Sequence, residues 1–228
     1  FMDVTSQIDE RVHQIGEIIQ TTSDHVTLNV EVIGTAPLER IDLFDGKDII
    51  ETIRPWDKSS QIERMRITCV GQHYRGRGRL VKWEVTATLD AGQIKKYNTV
   101  NFWNPNKQPK LINEKEISWE TVTTGGASAV DLWVNSFSGS DKLSIETNQG
   151  DMTLDANKIG KEAVVTEECG GMDIRLNVQQ LPKKLSEKCL SISRDLKLTR
   201  GVERRLFVRV TQEDGHQAWT SPFYILQS

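Results

Sequence analysis

Three arginines alternate with two glycines in Tyr74-Arg75-Gly76-Arg77-Gly78-Arg79, and Trp83 follows four residues later. Guanidinium groups grip carboxylate, sulfate or phosphate through paired N–H donors, and they stack on aromatic rings. In an extended segment residues two apart point to one side, so Arg75, Arg77 and Arg79 would share a face and need anionic partners. The glycines permit a bend or a close backbone approach. Such a segment can tie two domains together, hold an anion, or bind nucleic acid. RNA-binding segments of this type are repetitive, whereas this one occurs once between two well-patterned strands. The chain also carries 29 Lys and Arg against 32 Asp and Glu, a net charge of −3. That is not the positive field of a dedicated nucleic-acid binder. An interdomain or anion contact is therefore the expectation at Arg75, Arg77 and Arg79, with no nucleic-acid partner.

A second set mixes aromatic and amide groups. Asn101, Trp103 and Asn104 fall in Asn101-Phe102-Trp103-Asn104-Pro105-Asn106, and Trp133 stands two residues before Asn135. Indole faces stack on apolar sugar faces while amides serve hydroxyls, so the five residues form a candidate surface for a ligand or partner, a carbohydrate above all.

Other reactive groups do not assemble. His13, His25, His73 and His216 include no i,i+2 or i,i+4 pair that could clamp a metal. Cys69, Cys169 and Cys189 show no paired spacing, and their odd number speaks against a disulfide framework. The serines lack a nucleophile elbow. Thr123-Thr124-Gly125-Gly126-Ala127-Ser128 lacks the lysine of a phosphate loop and precedes a strand pattern, so it reads as a turn. The acidic pair Glu167-Glu168 reads as a loop before a strand. No catalytic residue, metal ligand or cofactor follows from these residues.

The elements that would carry the two surfaces are strands. Val26, Leu28, Val30 and Val32 alternate with polar residues, as do Val81, Trp83, Val85, Ala87 and Leu89, and Ile174, Leu176 and Val178. Trp133 falls on the outward side of its strand. Asp45-Gly46 supplies the positive-φ turn of a hairpin over 38–53. About twelve such segments run between Gly, Asn, Asp and Pro turns. Helical spacing is confined to Ile8, Val12 and Ile15, which predict a short amphipathic turn, and more weakly to 155–160. Many short strands without βαβ spacing predict an all-β fold of two antiparallel β-sandwiches in 228 residues. Hydrophobic residues make up 37% of the chain and never run to the roughly eighteen that a membrane helix needs, so no membrane partner is expected.

Several segments together resemble a known group. They are Val32–Gly46, His73–Trp83, Val100–Pro105, Ser118–Val134, Leu143–Gly150 and Phe207–Ile225. They are similar to the C-terminal part of large, mostly bacterial proteins of unknown function related to the polymerase-and-histidinol-phosphatase (PHP) metallohydrolases. In that group the metal site lies in an upstream domain rich in histidine and aspartate motifs, none of which matches here, so no catalytic residue carries over. The resemblance implies an immunoglobulin-like sandwich, residues 1–74 plus 200–228, interrupted by an inserted second sandwich, residues 75–199. It also implies a non-catalytic accessory region that packs on or shapes the catalytic domain of the same polypeptide, or mediates homo-oligomer formation. The start at Phe1-Met2 fits a piece of a longer protein. On this reading Tyr74–Arg79 is the crossing between the sandwiches. A carbohydrate-binding module is the alternative, and no compartment is implied.

Overall fold

The computed structural model describes residues 1–57, 61–165 and 169–228. Its strands, in chain order, begin with β1 (Met2–Ile8), β2 (Arg11–Gln14), β3 (Ile18–Thr21), β4 (His25–Ile33), β5 (Leu38–Asp45) and β6 (Asp48–Ile53). They continue with β7 (Arg64–Gln72), β8 (Val81–Leu89), β9 (Gln93–Val100), β10 (Lys110–Asn113), β11 (Glu116–Thr123), β12 (Ala127–Asn135), β13 (Lys142–Thr147) and β14 (Met152–Asp155). The last six are β15 (Val164–Val165), β16 (Met172–Leu181), β17 (Cys189–Lys197), β18 (Glu203–Gln212), β19 (Gln217–Trp219) and β20 (Phe223–Gln227). A 3-10 turn at Ala156–Lys158 is the one helical element among the described residues. The fold is all-β, with more and shorter strands than periodicity alone resolves.

The chain divides into two compact units, Phe1–Trp56 with Leu185–Ser228, and Asp57–Lys184. The expected boundaries at 74/75 and 199/200 are therefore corrected at both ends. β7 sits between β16 and β12 and belongs to the inserted unit. β17 pairs along its whole length with β4, from Cys189 opposite Ile33 to Lys197 opposite His25, and belongs to the first. Alternation fixes which face of a strand is buried but not which sheet receives it.

The first unit has one sheet in the order β17-β4-β1-β2 and another in the order β3-β20-β18-β5-β6, with β19 on β18. Val4, Val26, Leu28, Val30 and Val32 of the first sheet share a core with Ile41, Leu43, Val208, Phe223 and Ile225 of the second. β3 and β20 run parallel, a local exception to the antiparallel expectation. The helical turn expected around Ile8, Val12 and Ile15 is a β-hairpin instead. Thr5 opposes Gln14 and Ile8 opposes Arg11 across a turn with Asp9 and Glu10 at φ 46° and 66°. Both positive-φ positions fall on polar residues, and Val12 and Ile15 are exposed rather than buried. The Gly46 turn between β5 and β6 has the expected positive φ, 61°.

One buried acid makes this unit sensitive to acid. Asp42 is 1% exposed and accepts hydrogen bonds from Arg209 at 2.7 and 3.1 Å, Arg40 at 3.2 Å and the Thr52 hydroxyl at 2.8 Å. Burial works to raise its pKa, but the Arg209 and Thr52 hydrogen bonds and the two guanidinium charges outweigh it and hold the carboxyl below the usual 3.8. A carboxylate with a depressed folded-state pKa contributes stability above its unfolded pKa and loses it as pH falls through the folded one. Lowering pH from 5 toward and below about 3.8 should therefore reduce the first unit's urea midpoint, and Asp42→Asn should flatten that dependence while lowering stability at pH 7. Equal slopes for both proteins in that window would rule this out.

The second unit pairs a sheet ordered β10-β11-β8-β13-β14 with one ordered β15-β16-β7-β12-β9. Trp83, Val85, Ala87, Ile117 and Ile145 of the former share a core with Met65, Ile67, Val130, Leu132 and Leu176 of the latter. Two loops that carry the candidate residues cross between these sheets. Residues 73–80 join β7 to β8, and residues 101–109 join β9 to β10. Ala129 on β12 opposes Thr68 on one side and Val100 on the other, so both loops leave their sheet from the same end.

Candidate functional site

The outer face of the β10-β11-β8-β13-β14 sheet carries a groove. Its floor comes from the outward positions of two paired strands, with Lys82 opposite Val122, Glu84 opposite Glu120 and Thr86 opposite Ser118. These alternate with the buried Trp83, Val85, Ile117 and Trp119. The 101–109 loop forms one wall. There a cleft of about 180 Å³ lies between Trp103 and the strand residues Lys82, Glu84 and Glu120. It shares Glu84, Lys107 and Glu120 with a broader depression of about 860 Å³ that reaches Glu146 and Asp151.

Local chemistry shapes the wall. Asn101, just after β9, takes a positive φ of 55°, which asparagine tolerates better than most residues. The Asn104 side-chain oxygen accepts the Asn106 N–H at 3.0 Å, and the Asn104 carbonyl accepts the Lys107 N–H at 3.1 Å. That turn delivers Lys107 to Glu120 at 2.8 Å, and the resulting hydrogen bond and charge hold the Glu120 carboxyl below its usual range. Trp103 is 76% exposed at the rim.

The five residues expected to form one surface are divided. Trp103 and Asn104 line the groove wall, and Asn101 begins the loop that forms it. Trp133 and Asn135 sit on the other sheet, toward the end of β12 remote from the two loops. Trp133 is not a stacking platform. Arg64 and Lys96, its partners on the two neighbouring strands, each stand 4.6 Å from its ring, and its indole N–H donates to the Lys183 carbonyl at 2.8 Å. The same row of side chains contains a buried charge cluster that its sequence positions did not announce. Asp131, fully buried, binds Arg66 at 2.6 and 3.0 Å and also accepts from Arg64.

Tyr74–Arg79 lies inside the second unit, so the crossing between sandwiches expected there is corrected. Nor is it an extended strand. Gly76 and Gly78 have φ of 98° and 77°, and the His73 N–H closes the loop on the Arg79 carbonyl at 3.1 Å. A Cβ on Gly78 would meet the Tyr74 hydroxyl at 2.8 Å. Residues 73–80 are all exposed, and the guanidinium groups of Arg75, Arg77 and Arg79 hold no ion pair or hydrogen bond among the described residues. The alternation of Arg and Gly shows charge and bend, but the partner of that charge is a matter of tertiary placement.

Among the described residues no group of His, Cys, Asp and Glu converges as a metal site. The three cysteines are free thiols, and burial pushes that of Cys69 far up, with Cys169 adding to the shift. The acidic pair Glu167-Glu168 lies outside the described residues. No protein-family model, curated protein or solved structure matches the chain.

Proposed function

We propose that this chain is a non-catalytic, binding region of a larger polypeptide, and that its working surface is the groove on the second unit. The ligand is an extended polyhydroxylated chain, a saccharide, held for a catalytic domain of the same polypeptide. The observation that carries the reading is Trp103, an indole 76% exposed at the rim of a polar cleft. A Trp so exposed on a wall whose turn is fixed by hydrogen bonds offers an apolar plane without paying for its placement on binding. Below it, Glu84, Thr86 and Ser118 offer donors and acceptors on the floor strands, and Lys107 adds a donor from the wall, groups that can serve hydroxyls spaced along a chain. The link to a metal-dependent hydrolase rests on the sequence resemblance to the PHP-related proteins.

Oligosaccharide binding, screened on an array and followed by calorimetry, tests the site. Trp103→Ala should lower affinity by about fivefold to thirtyfold, the loss of about 1–2 kcal/mol of stacking, while Trp133→Ala leaves it unchanged. Absence of any saccharide binding by the unaltered chain would end this reading.

A further inference from the structure

The groove is not electrically uniform. Its β13 side carries Glu146 and Asp151, while the part next to Trp103 takes in Lys82. Lys82 is the second residue of β8, and β8 is entered directly from the arginine loop. Chain geometry bounds the separation. Arg79 lies three residues from Lys82, so their Cα atoms are at most about 11 Å apart, before either long side chain extends. The loop and the Trp103 wall also leave their sheet from one end, as the register around Ala129 requires. The loop that carries three guanidinium groups without ion-pair or hydrogen-bond partners among the described residues therefore runs directly into the strand that floors the cleft, with Arg79 nearest its Lys82 end. The loop holding them is closed by the bond from His73 to Arg79 and turned by Gly76 and Gly78.

Resting on the saccharide reading above, we propose that the ligand is an acidic polysaccharide, carrying carboxylate or sulfate groups, which enters over the loop. Its anionic groups pair with Arg75, Arg77 and Arg79, and a sugar ring stacks on Trp103. Guanidinium geometry suits this chemistry, because its planar fork matches two oxygens of a carboxylate or sulfate. Glu146 and Asp151 disfavour an anionic chain over the β13 side of the groove, which leaves the Trp103 side to hold it. The alternative polyanion, a single-stranded nucleic acid, would need stacking along a basic track. The cleft instead mixes Lys82 and Lys107 with Glu84 and Glu120.

The test compares an oligouronate with its carboxyl-reduced, neutral counterpart by calorimetry on the whole chain. The oligouronate should bind about tenfold or more tightly, and the preference should shrink as salt rises. The triple variant Arg75→Gln, Arg77→Gln, Arg79→Gln should bind the two probes equally and keep the thermal midpoint, since these side chains are exposed. Equal affinity of the unaltered chain for both probes, still weakened by Trp103→Ala, would overturn the acidic ligand and leave the saccharide groove standing. Tighter, arginine-dependent binding of an oligothymidylate would overturn it in favour of nucleic acid. No binding of either saccharide would overturn both proposals.

Discussion

Replacing Asp131 with alanine should destabilise the second unit by about 3–5 kcal/mol, read as a lower denaturant midpoint in equilibrium unfolding. Asp131 is fully buried on β12, and Arg64 and Arg66 lie beside it on β7 at 1% and 5% exposure. Removing one carboxylate leaves two guanidinium groups without the anion they share. Breaking a buried ion pair from one side costs about 3–5 kcal/mol. The Arg64 guanidinium also lies against the Trp133 ring, so its displacement disturbs a second side chain in the same row. Asp131→Asn separates charge from shape. The amide keeps an acceptor but not the negative charge, so most of the loss should persist. A change below about 1 kcal/mol for the alanine variant would mean that other groups balance the two arginines.

The second large effect is expected at Trp83. This side chain, near the start of β8, is fully buried, and its indole N–H donates to the Thr123 hydroxyl at 3.0 Å. Trp83→Ala should cost about 3–5 kcal/mol through lost burial and the cavity left behind. Trp83→Phe keeps most of the apolar volume and strands the Thr123 partner, so about 1–2 kcal/mol is expected. Trp103 makes the contrast. Its truncation should change stability by no more than about 0.5 kcal/mol while weakening saccharide binding, because an exposed ring contributes little to the core. Two tryptophans of the second unit, one in its core and one at the groove rim, thus separate stability from binding. A large stability loss for Trp103→Ala would assign that ring to packing instead.

The groove was half legible in the sequence. The alternation through Val81–Leu89 places Trp83 and Val85 inward, and by the same token it places Lys82, Glu84 and Thr86 on one outward face. Trp103 and Asn104 stood out because an aromatic beside amides in a Pro-bearing loop is unusual chemistry. Nothing local shows that this loop folds over β8 and β11, residues 81–89 and 116–123, since that requires knowing which sheet each strand joins. Trp133 shows the reverse error. Its outward phase was read correctly, but the cations flanking its ring come from β7 and β9, far apart in the chain. The hairpin at Ile8–Arg11 escaped because three apolar residues at helical spacing mimic an amphipathic turn. Cross-strand pairing with β4 outweighed that short-range pattern.

By itself the sequence determined that the chain is all-β, which faces of its strands are apolar, and which loops carry charge, bend and exposed aromatic groups. Each of these follows from residue type and a period of two, both local properties. Only the tertiary structure decided that β7 and β17 exchange the units first expected for them. It alone divided Trp103 from Trp133 and moved Tyr74–Arg79 from a presumed crossing between sandwiches to a loop beside the groove. The physical reason is that strand partners are chosen by long-range pairing and shared burial. A strand's own sequence specifies the face it buries but not the neighbour it meets.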